Sequence, residues 1–309
     1  MKETTAVLCV LAALAAPASA SLYTEDFSVD PTANWTVNDS GLSDIGVDFF
    51  YDYSQIGVPS ANGSDTRGLK MTCNNTGAVF SGFSVSPTGQ SFSGNYTVTF
   101  DMWQNYAGPV GPGGSGTTQL SMMGIGTAGN VAVWPGSASK ESVMFGVTLD
   151  GGSSADYRAY SSAANTSYPS GNAVYNAPGG AINGSDAYYS VFGGTAAPGD
   201  QVTLFPGQTG VTDAGEPAFA WREVVIDVMN GIATWSIDGL TIATVDTSTL
   251  TLGGGNILFG HSDTNGSSSS DPNDSLLNVT LIDNIVVTPE PTSMALLALG
   301  GVALLRRKR

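Results

Sequence analysis

The sequence predicts an all-β fold, an antiparallel β-sandwich with long Gly/Ser-rich loops, and three observations carry that expectation. Only 12% of the 309 residues are charged, while Gly alone contributes 40 residues and Ser, Thr and Asn recur throughout. No long stretch repeats apolar residues at helical spacing, whereas short runs of alternating apolar and polar residues are common. Two dipeptides favoured in tight hairpins, Asn230-Gly231 and Asp238-Gly239, punctuate the clearest of these runs.

That run is "WREVVIDVMNGIATWSIDGLTIATVD". Val224, Ile226 and Val228 alternate with Glu223, Val225 and Asp227, and Ala233, Trp235 and Ile237 alternate with Thr234, Ser236 and Asp238. Two turns between three such segments make a meander. Further strands are expected at residues 96–103, 143–149, 256–260 and 277–287. The middle, residues 104–220, contains "GPVGPGGSG" and "YSSAANTSYPSGNAVYNAPGGAINGSD", and reads as loop insertions decorating a single sandwich. No fixed-period repeat is present, which argues against a solenoid or propeller.

Three short segments sharpen the fold. "LYTEDF" near the N-terminus, "WSIDG" in the meander and "LIDNIVV" near the C-terminus resemble the first strand, a hairpin and the last strand of the concanavalin A-like, or laminin-G-like, jelly rolls. The resemblance implies the fold and confers no activity.

Both ends read as addresses. Lys2, the apolar stretch 6–16 and Ala18-Ser19-Ala20 have the layout of a signal peptide spanning 1–20, which implies export through the general secretion machinery and signal peptidase. At the other end, Pro289, Glu290 and Pro291 precede the apolar segment 292–305 and the cluster Arg306, Arg307, Lys308 and Arg309. Fourteen helical residues cover ~21 Å, a short transmembrane helix against a hydrocarbon core of about 30 Å, and the terminal cations hold that end in the cytoplasm. This order resembles the PEP-CTERM sorting signal. The resemblance implies an exosortase as partner, a membrane-embedded cysteine transpeptidase or protease acting near Pro-Glu-Pro. The expected organisation is a signal peptide at 1–20, a sandwich ectodomain at 21–288 and a sorting signal at 289–309.

Charge narrows the partners. Residues 21–291 carry five basic against twenty-five acidic residues, a balance of −20. Nucleic acid binding needs clustered cations, so it is excluded as a partner class. Cys73 is the one cysteine left after removal of Cys9 with the signal peptide, so no intrachain disulfide forms and Cys73 is expected as a buried thiol.

Catalytic patterns are sparse, and the chain is expected not to be an enzyme. The E-x-D-x-x-E strand of laminarinase-like hydrolases is missing. Glu223 and Asp227, its nearest approximation, would stand ~13 Å apart along a strand, beyond the roughly 5–9.5 Å of glycosidic chemistry. His261 is the single histidine and reads as a loop residue at a strand end. One histidine and one mature cysteine make zinc an unsuitable cofactor.

Oxygen ligands leave structural calcium as the candidate ion. One acidic group comprises Glu25, Asp26 and Asp283, which pairing of the first and last strands would bring close; another includes Asp263 and Asp271 in "HSDTNGSSSSDPNDS". That loop lacks EF-hand register. Extracellular polysaccharide is the candidate ligand, through Trp134, Tyr157, Tyr160, Tyr188 and Tyr189, whose rings would stack on sugars if exposed. The expectation is an exported cell-envelope or matrix protein, transiently in the inner membrane and then at the surface or beyond. Its body is structural or adhesive, with a carbohydrate-binding module and a divergent glycan hydrolase as alternatives.

Overall fold

The computed structural model describes residues 20–39, 41, 44–111, 118–137, 141–163, 166–264 and 271–290. Residues 1–19, Pro291 and the basic cluster Arg306, Arg307, Lys308 and Arg309 lie outside them, as do the expected signal peptide, but for its last residue, and the expected transmembrane helix. Among the described residues no helix is long and apolar enough to cross a membrane.

Among the described residues, fourteen strands form two antiparallel sheets facing one another. The first sheet contains β1 (Tyr23–Glu25), β3 (Ile45–Asp52), β4 (Arg67–Cys73), β6 (Tyr96–Asn105), β10 (Arg222–Met229), β11 (Ile232–Ile237), β12 (Leu240–Asp246) and β14 (Val279–Pro289). Its order is β12-β11-β10-β6-β14-β4-β3, with β1 also paired to β14. The second contains β2 (Trp35–Asn38), β5 (Ser81–Pro87), β7 (Gln119–Thr127), β8 (Val143–Thr148), β9 (Tyr157–Tyr160) and β13 (Asn256–Asp263), in the order β2-β5-β13-β7-β8-β9. Among the described residues two short α-helices, α1 (Gly199–Leu204) and α2 (Asp274–Leu277), lie in connections.

The meander forms as β10, β11 and β12. Asn230-Gly231 and Asp238-Gly239 all take positive φ, at 52°, 79°, 48° and 78°. Paired positive φ matches the right-handed twist of the strands the turn connects, which is why these dipeptides fix the register. Every inward position of β10 and β11 is apolar and buried: Val224, Ile226, Val228, Ala233, Trp235 and Ile237. The pairing of Tyr23 with Val287 also forms, closing the first strand on the last.

Trp235 anchors the principal core between the sheets. It is fully buried and stacks on Phe145 of the opposite sheet at 5.2 Å, while Phe100 meets Phe259 edge-on at 4.9 Å. The middle region departs from the loop reading. It contains β7, all nine of whose residues are buried, and residues 161–220 supply Tyr175, Ile182, Tyr189 and Phe192 to the principal core. Covered on both faces, β7 shows no alternation in "QLSMMGIGT" and so gives no half-buried signature.

His261 corrects another expectation. It sits inside β13, fully buried, with Nδ1 2.9 Å from Thr280 Oγ1 and Nε2 2.6 Å from Gln119 Oε1. Burial pushes its pKa down to about 3, so the ring is neutral. Gln119 Oε1 can only accept, which assigns the ring proton to Nε2 and leaves Nδ1 to accept from Thr280. The chain continues through Ser121 Oγ, 2.6 Å from Thr280 Oγ1, to Gln104 Nε2 at 3.0 Å, joining β6 and β14 to β7 and β13 across the core. Cys73 is buried and free, and burial pushes its pKa well up.

Trp235→Ala removes the stacked contact with Phe145 between the sheets. It is expected to lower unfolding free energy by about 3–5 kcal/mol, measured by chemical denaturation.

Candidate functional site

The outer face of the first sheet carries a row of carboxylates. In the ladder Asp283 of β14 is opposite Asp101 of β6, and Asp101 is opposite Glu223 of β10. Directly opposed residues share a face, so the three line up across three neighbouring strands. Adjacent members have Cβ atoms about 4.5–5.5 Å apart. One step along the same face is a second row, Leu281, Trp103 and Trp221, with Trp103 and Trp221 rings 5.8 Å apart. Tyr53 covers the junction, donating to Asp283 Oδ2 at 3.1 Å and meeting Trp221 edge-on at 5.2 Å.

A β-bulge shapes this arrangement. Between Asp283 and Val286 the register against β6 shifts, and Asn284 takes the left-handed conformation at φ 51°. Its side chain donates to Asp101 Oδ2 at 2.8 Å and accepts from Asn62 Nδ2 at 2.9 Å. Asp283 is 1% exposed, Asp101 half-buried and Glu223 exposed, so the row passes from interior to solvent. Burial pushes Asp283 up to about 7, with Asp65 and Asp101 adding repulsion against the hydrogen bonds from Asn284 and Tyr53. Asp101 is also raised, first by burial. Asp283 can therefore carry its proton near neutral pH beside a second carboxyl group, which is what a general acid requires.

The sequence reading placed Glu223 beside Asp227 on one strand and missed its cross-strand neighbours. Asp101 falls on the polar face of the alternating segment 96–103, and an Asp-Asn pair interrupts the apolar run of "LIDNIVV"; those were the available signals.

The five rings proposed for sugar stacking are not an exposed platform, and that expectation is corrected. Tyr157 and Tyr189 are fully buried and stack on each other at 4.0 Å, with their hydroxyls donating to Gly215 and Ala181 carbonyls. Tyr160 and Trp134 are 3% and 5% exposed, within a cluster on the outer face of the second sheet. Tyr188 alone is half-buried, and its hydroxyl donates to Thr241 O at 2.6 Å. Connections poor in aliphatic residues use their aromatic rings to seal the core.

The acids proposed for calcium are dispersed. Glu25 lies opposite Ile285, a core residue, and accepts from Phe27 N, whereas Asp283 points to the other face. The bulge separates them. Asp26 is held by Ser28, Asp263 is fully buried with Asn74 Nδ2 at 2.7 Å, and Asp271 accepts from Asn273 N beside a cleft lined by Phe205 and Gln208. Among the described residues no three His, Cys, Asp or Glu side chains converge as a metal group.

The first two residues of the sorting triplet, Pro289 and Glu290, lie on the folded body. Pro289 pairs with Tyr96, and Glu290 N donates to Asn95 O at 3.2 Å. The Glu290 carboxylate accepts from Thr97 Oγ1, which also lies 2.5 Å from Asp227 Oδ1.

Asp283 binds a proton more tightly folded than unfolded, so its contribution to stability falls as pH rises through the window from about 4 to about 7. Asp283→Asn removes that dependence. Denaturation across this window should show the variant improving relative to the native chain by on the order of 2–4 kcal/mol between pH 4 and pH 8.

Solved structures similar to the chain include a Bacillus subtilis protein of unknown function with a galectin-like fold, at 12% identity over 87% of this chain and 96% of that one, TM-score 0.46. They also include an endo-acting O-glycanase of the human gut microbiota, at 11% identity over 87% and 99%, TM-score 0.45. A third is a Bacillus licheniformis β-glucanase, at 12% identity over 87% and 97%, TM-score 0.40. No curated protein matches the sequence. Residues 287–309 match the PEP-CTERM protein-sorting motif, so this antiparallel sandwich carries at its C-terminus the signal of an exported protein handled by an exosortase.

Proposed function

We propose that the chain is a cell-envelope or extracellular-matrix protein, carried out by its N-terminal signal, held in the inner membrane by its C-terminal helix and cut by an exosortase. The sandwich then remains outside the cell in a structural or adhesive, non-enzymatic role. The observation carrying this reading is the position of the sorting motif, which begins in the last residues of β14 and so directly abuts the folded body. A balance of five basic to twenty-five acidic residues suits a soluble exterior. Intact mass spectrometry of native protein from cells and spent medium tests it. The expected product lacks residues 1–20 and the tail; a full-length chain folded in the cytosol would contradict the reading.

A second reading is favoured by the carboxylate row. Asp283, kept protonated near neutral pH, would act as general acid toward a glycosidic oxygen, with Asp101 or Glu223 as the second carboxyl group. Adjacent strands give the ~5 Å spacing of retaining glycosidases, whereas two strand intervals give about 9.6 Å, just beyond the inverting range. Half-buried Trp221 supplies aromatic surface beside the row, backed by the buried ring of Tyr53. Reducing-end release from a panel of β-glucans would support it if Asp283→Asn and Glu223→Gln each lower the rate by about 100-fold or more. Binding to those glycans without turnover would favour a lectin-like body.

A further inference from the structure

We propose that processing cuts a peptide bond C-terminal to Glu290, so that the mature body keeps Pro289 and Glu290 as the end of its last strand. The inference rests on the sorting reading above and adds the position of the cut. Pro289 is already a rung of the ladder with Tyr96, and the Glu290 N–H is already given to Asn95 O at 3.2 Å. Asn95 is itself fixed, since its Oδ1 accepts from Asn230 N at 2.9 Å in the β10–β11 turn. The Glu290 side chain is held separately by Thr97 Oγ1. Main chain and side chain of Glu290 are therefore latched where the ends of β6, β10 and β14 meet.

Enzymes that cut or transfer peptides bind them extended, using the backbone groups on both sides of the bond. At the Pro289–Glu290 bond the nitrogen side is committed to the body's own sheet, since its N–H is given to Asn95 O. Exposing it requires peeling the strand end, a local unfolding step that suppresses cleavage in proportion to its free energy. Peeling beyond Val287 would also strip β1, because Leu22 N donates to Val287 O at 2.7 Å. At a bond beyond Glu290 the amide C–N breaks. The carbonyl carbon gains the oxygen of water or the nitrogen of an acceptor amine, whose proton passes to the departing nitrogen of the tail.

Thr97 is the position to test. Its single hydroxyl proton faces two carboxylates, Asp227 and Glu290, so Thr97→Val removes the donor and leaves the acids opposed, whereas Thr97→Ser keeps it. C-terminal peptide mapping of the processed full chain from its own host is expected to end at Glu290 or later. An end at Pro289 or earlier would overturn the inference while leaving sorting intact, and an uncut tail in the membrane would overturn both. Hydrogen exchange of the Glu290 amide should be roughly five-fold faster in Thr97→Val, with tail removal accelerated and native behaviour restored in Thr97→Ser. Unchanged exchange and cleavage in Thr97→Val would overturn the latch.

Discussion

The extra residue at Asn284 sets the phase of β14, and three features of the molecule depend on it. Before the bulge, Leu281 and Asp283 face outward and Ile282 faces the core; after it, Ile285 and Val287 face the core. Strict alternation from Asp283 would turn Ile285 and Val287 to the outside. One residue in the left-handed conformation resolves the conflict, and Asn tolerates that conformation better than most side chains. The same shift puts Glu290 on the face where Thr97 waits, so core, carboxylate row and sorting latch share one register.

The two faces of the first sheet use polar groups differently. Inside, the neutral His261 is wired through Thr280, Ser121 and Gln104 in a chain where each donor has an acceptor, which joins the sheets without placing a charge in the core. Outside, Asp283 is buried and accepts hydrogen bonds from Tyr53 Oη and Asn284 N, neither of them a cation. Burial and neighbouring acids therefore keep it prone to protonation. Such an arrangement costs stability at neutral pH, and costs of this kind concentrate where surfaces act on ligands.

Much of the fold was legible because its signals are local. Asn230-Gly231 and Asp238-Gly239 dictate their own turns, and the Val224, Ile226, Val228 alternation marks one buried face. β7 was not legible, since a strand covered on both faces loses its period. Tyr157 and Tyr189 misled because their segments read as loops: Tyr157 lies in β9, and both rings close part of the core. The carboxylate row was hidden for another reason. Asp101, Glu223 and Asp283 are far apart in the chain, and only the β14-β6-β10 order makes them neighbours. The sorting tail, by contrast, is a linear pattern and could be read directly, though its attachment through Thr97 could not.

Equilibrium unfolding of a variant lacking Asn284, compared with Asn284→Gly, tests the phase argument most directly. Glycine adopts positive φ freely, so that variant should unfold cooperatively within about 1–2 kcal/mol of the native chain. The deletion should abolish cooperative unfolding, because Ile285 and Val287 would be driven out of the core. A deletion variant as stable and cooperative as the native chain would contradict the account.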